Sequence, residues 1–186
     1  MHAVVVPHAT PRRLTRGEYE RIAAVGVFRG ERVELIRGIV VRMSPIGPPH
    51  ADVVDRLLAL LIRRLGEGLR VRAQQPFLAS DESEPEPDIA VVVDADYTAR
   101  HPDRALLIVE VAESSLDYDR QTKGTLYAAS GVAEYWVVDV AARAVEVRRE
   151  PADGTWGRTH VVPLEGVLAC ESLSGLSVAV AELFPR

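Results

Sequence analysis

An α/β (α+β) fold, a mixed central sheet flanked by helices with additional β-hairpins, is predicted by three features of this 186-residue chain. Two apolar, β-branched runs, IAVVV after Asp88 and ALLIVEV around Glu110, read as buried neighbouring strands. Between His50 and Leu65, apolar residues recur at helical spacing. Strand-like segments meeting at Arg37-Gly38, and others on either side of residues 141–143, read as hairpins. No repeat, low-complexity tract or linker interrupts the chain, so one domain is expected over residues 15–186 behind a flexible arm of residues 1–14.

The elements follow in order. Thr15-Arg16-Gly17-Glu18 has the spacing of a capping box and predicts a short helix to about Val25. Arg32–Ile36 and Ile39–Met43 form the first hairpin, and the segment SPIGPP is a rigid loop. In the long helix, Val53, Val54, Leu57, Leu58, Leu61 and Leu65 share a face, while Arg56, Arg63 and Arg64 occupy others. Leu69–Ala73 and Pro76–Ala79 are short strands, and Asp81–Glu86 is an acidic, proline-broken loop into the strand at Asp88. A polar segment, residues 94–104, connects to the strand at Ala105. A second helix spans Asp117–Ser130, stopped by Gly131, with Ser114, Ser115 and Asp117 as turn and N-cap residues. Glu134–Val140 and Ala144–Arg149 make the second hairpin; strands at Arg158–Val162 and Leu176–Val180 follow.

Composition narrows the function classes. The hydrophobic share of 47% with 26% charged residues is that of a globular protein with a sizeable core. A single cysteine, Cys170, excludes an internal disulfide framework and suits a reducing, cytoplasmic setting. No apolar stretch approaches the ~20 residues of a membrane helix, and the first residues lack a signal-peptide layout. A net charge of −5 argues against broad attraction to nucleic acid but not against a local basic patch or a bound metal. There is no G-x-S-x-G nucleophile motif and no phosphate-cradling glycine loop.

The chemistry gathers on a few side chains. A carboxylate on a buried strand is costly unless it is paired or holds a metal, so Asp88 and Glu110 on adjacent strands point to a cation site. Taken alone, Asp88 after Pro87 also reads as a turn residue; Glu110 inside LLIVEV needs a partner in any case. Asp119 and Lys123, four apart, share a helix face that Tyr127 continues, and by spacing alone read as an exposed ion pair. Lys123, however, is the only lysine among 22 basic residues, which points to a specific task for a compact ammonium. Glu34 alternates with Val33 and Leu35, and from alternation alone it reads as well as a solvent-facing strand residue as it does otherwise. His50 opens the long helix as a capping or surface residue, or as a contact to substrate. Tyr135 and Trp136 are expected in the core, and the remaining histidines lack ligand spacing.

The segments VELIRG, SPIGPPH, PEPDIAVV, LLIVEVAESS, DRQTK and GVAEYWVVD, in this order, together with the tail SLSGLSVAVAELF, resemble the Uma2 family within the PD-(D/E)XK nuclease superfamily. The resemblance covers most of the chain and implies a restriction endonuclease-like core and an endonuclease acting on DNA. It implies a Mg²⁺ site, or one taking Mn²⁺, built from Asp88, Glu110 and the backbone carbonyl of Val111. Glu34, His50 and Asp119 are then supporting residues. The superfamily's lysine two positions after the glutamate is replaced by Ala112, and the resemblance supplies the ammonium from Lys123 instead. A nuclease fold that binds nucleic acid or protein without cutting is the alternative, favoured somewhat by the acidic charge and the missing lysine. Nucleases that cut both strands commonly dimerise, so a homodimer is a further expectation.

Overall fold

The computed structural model describes residues 10–185; residues 1–9, most of the expected arm, and Arg186 lie outside the described residues. A six-stranded sheet runs in the order β3-β4-β5-β6-β7-β8, with β3 (Leu69–Ala73), β4 (Ile89–Val93), β5 (Leu107–Ala112), β6 (Glu134–Asp139), β7 (Ala144–Ala152) and β8 (Thr155–Val162). All neighbours are antiparallel except β5 and β6, which are parallel and joined by a helical crossover. The mixed sheet flanked by helices is the architecture predicted.

Alternation along the strands divides the core between two faces. On one, Val109, Val111, Trp136 and Val138 pack under α2 (Pro48–Arg64) and a C-terminal unit. That unit comprises β9 (Val167–Ala169), its antiparallel partner β10 (Ser177–Ala179) and the 3-10 turn Val180–Leu183. On the other, Ile108, Ala112, Tyr135 and Val137 pack with Phe77 and Tyr127, the latter on α3 (Gly124–Ala129). Glu110 alternates onto this second face.

The front of the molecule is built from α1 (Arg16–Ala24) and the hairpin of β1 (Val33–Ile36) and β2 (Ile39–Arg42). Thr15 caps α1 in a complete capping box with Glu18. The hairpin turn at Arg37-Gly38 has φ of 50° and 77°, the left-handed pair that matches strand twist. A side chain at Gly38 would also strike Arg13. Leu14 N–H donates to the Gly38 carbonyl. The hairpin is tied to the acidic loop by reciprocal bonds between Leu35 and Glu84, with N···O distances of 2.7 and 3.3 Å.

Several elements differ from expectation. Pro76–Ala79 is not a strand: Phe77 N–H goes to Pro85 O and Leu78 N–H to Pro102 O, and Pro76 has no N–H to give a ladder. Pro48 and Pro49 belong to the first turn of α2 rather than to the preceding loop, since an N-terminal turn has no use for their missing N–H groups. β8 begins at Thr155 and β9 was not foreseen. The second helix carries a π-helical stretch, Tyr118–Lys123, with the Gly124 N–H reaching the Asp119 carbonyl five residues back. Side chains from the sheet take helix carbonyls there: Tyr135 Oη donates to Asp119 O (3.0 Å), Arg148 Nη1 to Arg120 O (2.5 Å) and Trp156 Nε1 to Gly124 O (2.9 Å). No helix among the described residues is long and apolar enough to cross a membrane.

Glu84 in this loop gives a stability prediction. Its side chain is buried, its Oε2 has no partner, and burial, with the Glu20 carboxylate adding and Arg16 opposing, raises its pKa from 4.5 to about 7. The folded value exceeds the unfolded one, so this group's contribution to stability is fully present below pH 4.5 and is lost as pH rises through about 7. Glu84→Gln is expected to stabilise the fold by up to about 3 kcal/mol at pH 8 and hardly at all at pH 4.5. Urea midpoints at the two pH values measure this; an equal effect at both contradicts it.

Candidate active site

Asp88 and Glu110 face one another across β4 and β5. The ladder pairs Ile89 with Val109, so the next positions outward are Asp88 and Glu110, on the face opposite Val109. Both are buried, at 8% and 3% exposure. Asp88 lies just before the ladder starts, and its Oδ2 accepts the Val111 N–H at 2.8 Å. The same oxygen lies 3.0 Å from His50 Nε2, from the first turn of α2, while Gln74 Nε2 approaches Oδ1 at 3.4 Å. Burial alone would raise the Asp88 pKa, but hydrogen bonds from His50 and Val111 and the charge of Lys123 hold it below the usual carboxylate value. His50 is correspondingly raised, first by its bond to Asp88. Its Nδ1 is buried without a partner.

Lys123, at 4% exposure, is fully committed. Its Nζ donates to Glu110 Oε1 at 3.0 Å and stands 3.4 Å from Glu34 Oε2. Desolvation disfavours the ammonium, yet the Glu110, Glu34 and Asp119 carboxylates outweigh it, so the lysine is held charged above its ordinary pKa. Tyr127 Oη donates to the same Glu110 oxygen at 2.7 Å. Even so, complete burial pushes the Glu110 carboxyl well up, with Lys123 opposing the shift.

Glu34 is not solvent-facing. Because the hairpin is pinned to the acidic loop, β1 is buried on both sides at this point, and Glu34 accepts from Tyr118 Oη (3.2 Å) and the Glu86 N–H (3.2 Å). Asp119 is also buried, and burial raises its pKa to about 6, with Lys123 opposing. Its hydrogen bond comes from Ser115 Oγ at 2.5 Å. The exposed Asp119–Lys123 pair suggested by spacing therefore does not form: the helix turns Lys123 inward to Glu110 and Glu34.

The structure thus brings Glu34, His50, Asp88, Glu110, Val111, Asp119 and Lys123 into one cluster from β1, α2, the start of β4, β5 and the π-helix. Gln74 and Tyr118 join it unforeseen. Gln74 carries φ of 50°, which ends β3 and turns its side chain to Asp88; no local sequence signal marks it. Tyr118 sits beside a Lys-bearing helix face, and the ammonium lies 5.9 Å from its ring.

No curated protein matches the chain. A solved structure described as a "putative nuclease belonging to DUF820" from Anabaena variabilis ATCC 29413 superimposes with a TM-score of 0.73. It is 16% identical in sequence, and the match covers 92% of this chain and 97% of that one. That likeness establishes a shared fold. The Uma2 family, described as "Putative restriction endonuclease", matches residues 16–181. The match runs from the start of α1 to the final turn and includes every element that contributes to the cluster, so this chain belongs to the Uma2 family.

Proposed function

We propose that this protein is a metal-dependent endonuclease that hydrolyses phosphodiester bonds in DNA, with Mg²⁺, or Mn²⁺ in its place, held by Asp88, Glu110 and the Val111 carbonyl. The observation that supports this most is the meeting of two buried carboxylates and one buried ammonium at the end of the β4–β5 ladder. The donor set suits a hard divalent ion. Asp88 Oδ1 has only the long Gln74 contact, and Glu110 Oε2 accepts no hydrogen bond from a described residue. Among the described residues no three acidic, histidine or cysteine side chains gather as ligands. Two carboxylates with the remaining positions left to water and phosphate is the arrangement Mg²⁺ favours.

A divalent ion bound there supplies charge neutralisation and an acidified water. The protein's own groups do the rest. Lys123 stays charged, so it serves as an electrostatic and orienting group beside Glu110 rather than as a base. Glu34 and Tyr127 position it, directly and through Glu110. His50 orients Asp88. The exposed arginines of α2 are backbone contacts for DNA, and a homodimer would present two such sites to a duplex. The buried Cys170 thiol, raised to about 12 by burial, suits a cytoplasmic protein without redox chemistry.

The acidic net charge and a lysine already engaged by two carboxylates favour, as the second reading, a binding module that does not cut. Supercoiled, linear double-stranded and single-stranded DNA incubated with Mg²⁺ or Mn²⁺ separate the two. Cutting by the wild type that disappears in Asp88→Ala is expected. Retention of DNA in a gel shift with no cutting of any substrate supports the module instead.

A further inference from the structure

Beside the acidic cluster, on the same face of the sheet, lies a group of cations that the proposed chemistry leaves unused. The ladder pairs Arg70 with Val92 and Arg72 with Ala90, and Gln74 follows two residues later, against Asp88. Alternation therefore puts Arg70, Arg72 and Gln74 in one row on the edge strand, next to Ala90 and Asp88. Arg72 is 8% exposed, a buried guanidinium with no carboxylate within ion-pair distance among the described residues, and its Nε has no partner. Such a charge is costly to bury and calls for an anion.

The groups around Arg72 are held in place. Arg70 and Arg72 each stand 5.5 Å from the centre of the Tyr97 ring, and Tyr97 Oη is anchored to Val93 O at 2.8 Å. Arg72 Nη2 donates to His101 Nδ1 at 3.1 Å. That bond makes Nδ1 an acceptor and leaves the hydrogen on Nε2, a donor with no described partner on an exposed ring. Burial and the Arg72 charge both keep this imidazole neutral. The neighbouring Pro102 carbonyl is bound by Leu78 N–H, which fixes the loop. Asp94 pairs with Arg70 at 2.6 Å with both side chains partly exposed, and the Asp96 and Glu20 carboxylates act on Arg70 and His101 without an ion-pair contact. β3 is the sheet edge, and the row of Arg70, Arg72 and Gln74 runs along it toward Asp88.

We propose that Arg72, with Arg70 and His101, forms a subsite for a backbone phosphate of a nucleic-acid strand, flanking the bond held at Asp88 and Glu110. This rests on the nuclease reading for the position of the strand, but the subsite is a binding feature and is measured without cleavage. Its contribution is charge placed on one edge of an otherwise acidic protein, and it carries no base preference.

The test is binding of a fluorescent DNA duplex in EDTA over 50–200 mM salt, by anisotropy, with wild type, Arg72→Met, Arg70→Gln and His101→Ala. Wild type should bind with a salt-dependent affinity. Arg72→Met should weaken binding several-fold and make the log–log salt slope shallower by about 1. His101→Ala and Arg70→Gln, at exposed positions, should weaken binding with melting temperatures close to wild type, and they carry the test if Arg72→Met fails to fold. Inorganic phosphate at millimolar concentration should compete with DNA for wild type and not for Arg72→Met. A merely structural Arg72 would alter melting and leave slope and affinity unchanged; that outcome, or no DNA binding by wild type, overturns the proposal. DNA cutting with unaltered binding in all three variants removes the subsite and keeps the nuclease. Arg72-dependent binding with no cutting does the reverse.

Discussion

Lys123→Met is expected to destabilise the protein by about 3–5 kcal/mol and to abolish DNA cutting. Removing the ammonium leaves Glu110 and Glu34, 3.0 and 3.4 Å from it, buried without a cation, and breaking one side of a buried ion pair carries a cost of that size. Glu110 can relieve it only by taking up a proton. Glu110 already titrates well above its ordinary value, and without the lysine its folded pKa rises further. A raised carboxyl pKa removes stability as pH increases, so the loss should be larger at pH 8 than at pH 5. Adding Glu110→Gln to Lys123→Met should restore part of the stability, because of the two carboxylates that the ammonium compensates only Glu34 then remains, while cutting stays absent. Urea denaturation of the single and double variants at both pH values measures this. A loss below about 1 kcal/mol for Lys123→Met would mean the pair is solvated rather than buried.

Asp88→Ala should lower the cleavage rate on the order of 10³-fold or more, comparable with or above the loss of one preorganised electrostatic group. It should also move His50. That imidazole is raised chiefly by its hydrogen bond to Asp88, with burial opposing, so its pKa should fall in the variant. The pair has a definite pH window. Asp88, held low, contributes stability above its unfolded value of 3.8 and loses it as pH falls through the folded one. His50, held high, contributes fully below 6.5 and loses its share as pH rises through its folded value. The interaction is therefore greatest between about pH 4 and 6.5, and Asp88→Ala should destabilise most there. Imidazole NMR titration gives the shift directly; an unchanged His50 would contradict the contact.

Much of this arrangement was legible in the chain. IAVVV and LLIVEV became adjacent strands because continuous β-branched runs have few other ways to be buried, and Asp88 and Glu110 came together as that reading required. The hairpin at Arg37-Gly38 and the capping box at Thr15 are local devices with local signatures. What local rules missed was decided by tertiary contacts. Pro76–Ala79 bonds to Pro85 and Pro102 rather than to a strand, and the π-helix exists where Tyr135, Arg148 and Trp156 side chains claim its carbonyls. Spacing placed Asp119 and Lys123 on one face but could not say that this face turns inward. The chain's single lysine was the better clue, because a residue type used once is seldom spent on a solvated pair. Glu34 was ambiguous by alternation because a strand pinned between a hairpin partner and a loop is buried on both sides.

In the proposed site Asp88 and Glu110 jointly hold one divalent ion. Calorimetric titration of Mn²⁺ into wild type, Asp88→Ala, Glu110→Gln and Gln74→Ala tests it without relying on catalysis. One Mn²⁺ site per chain is expected in wild type, lost in both carboxylate variants and retained in Gln74→Ala. Absence of binding at millimolar Mn²⁺, or binding undiminished when either carboxylate is removed, would contradict it.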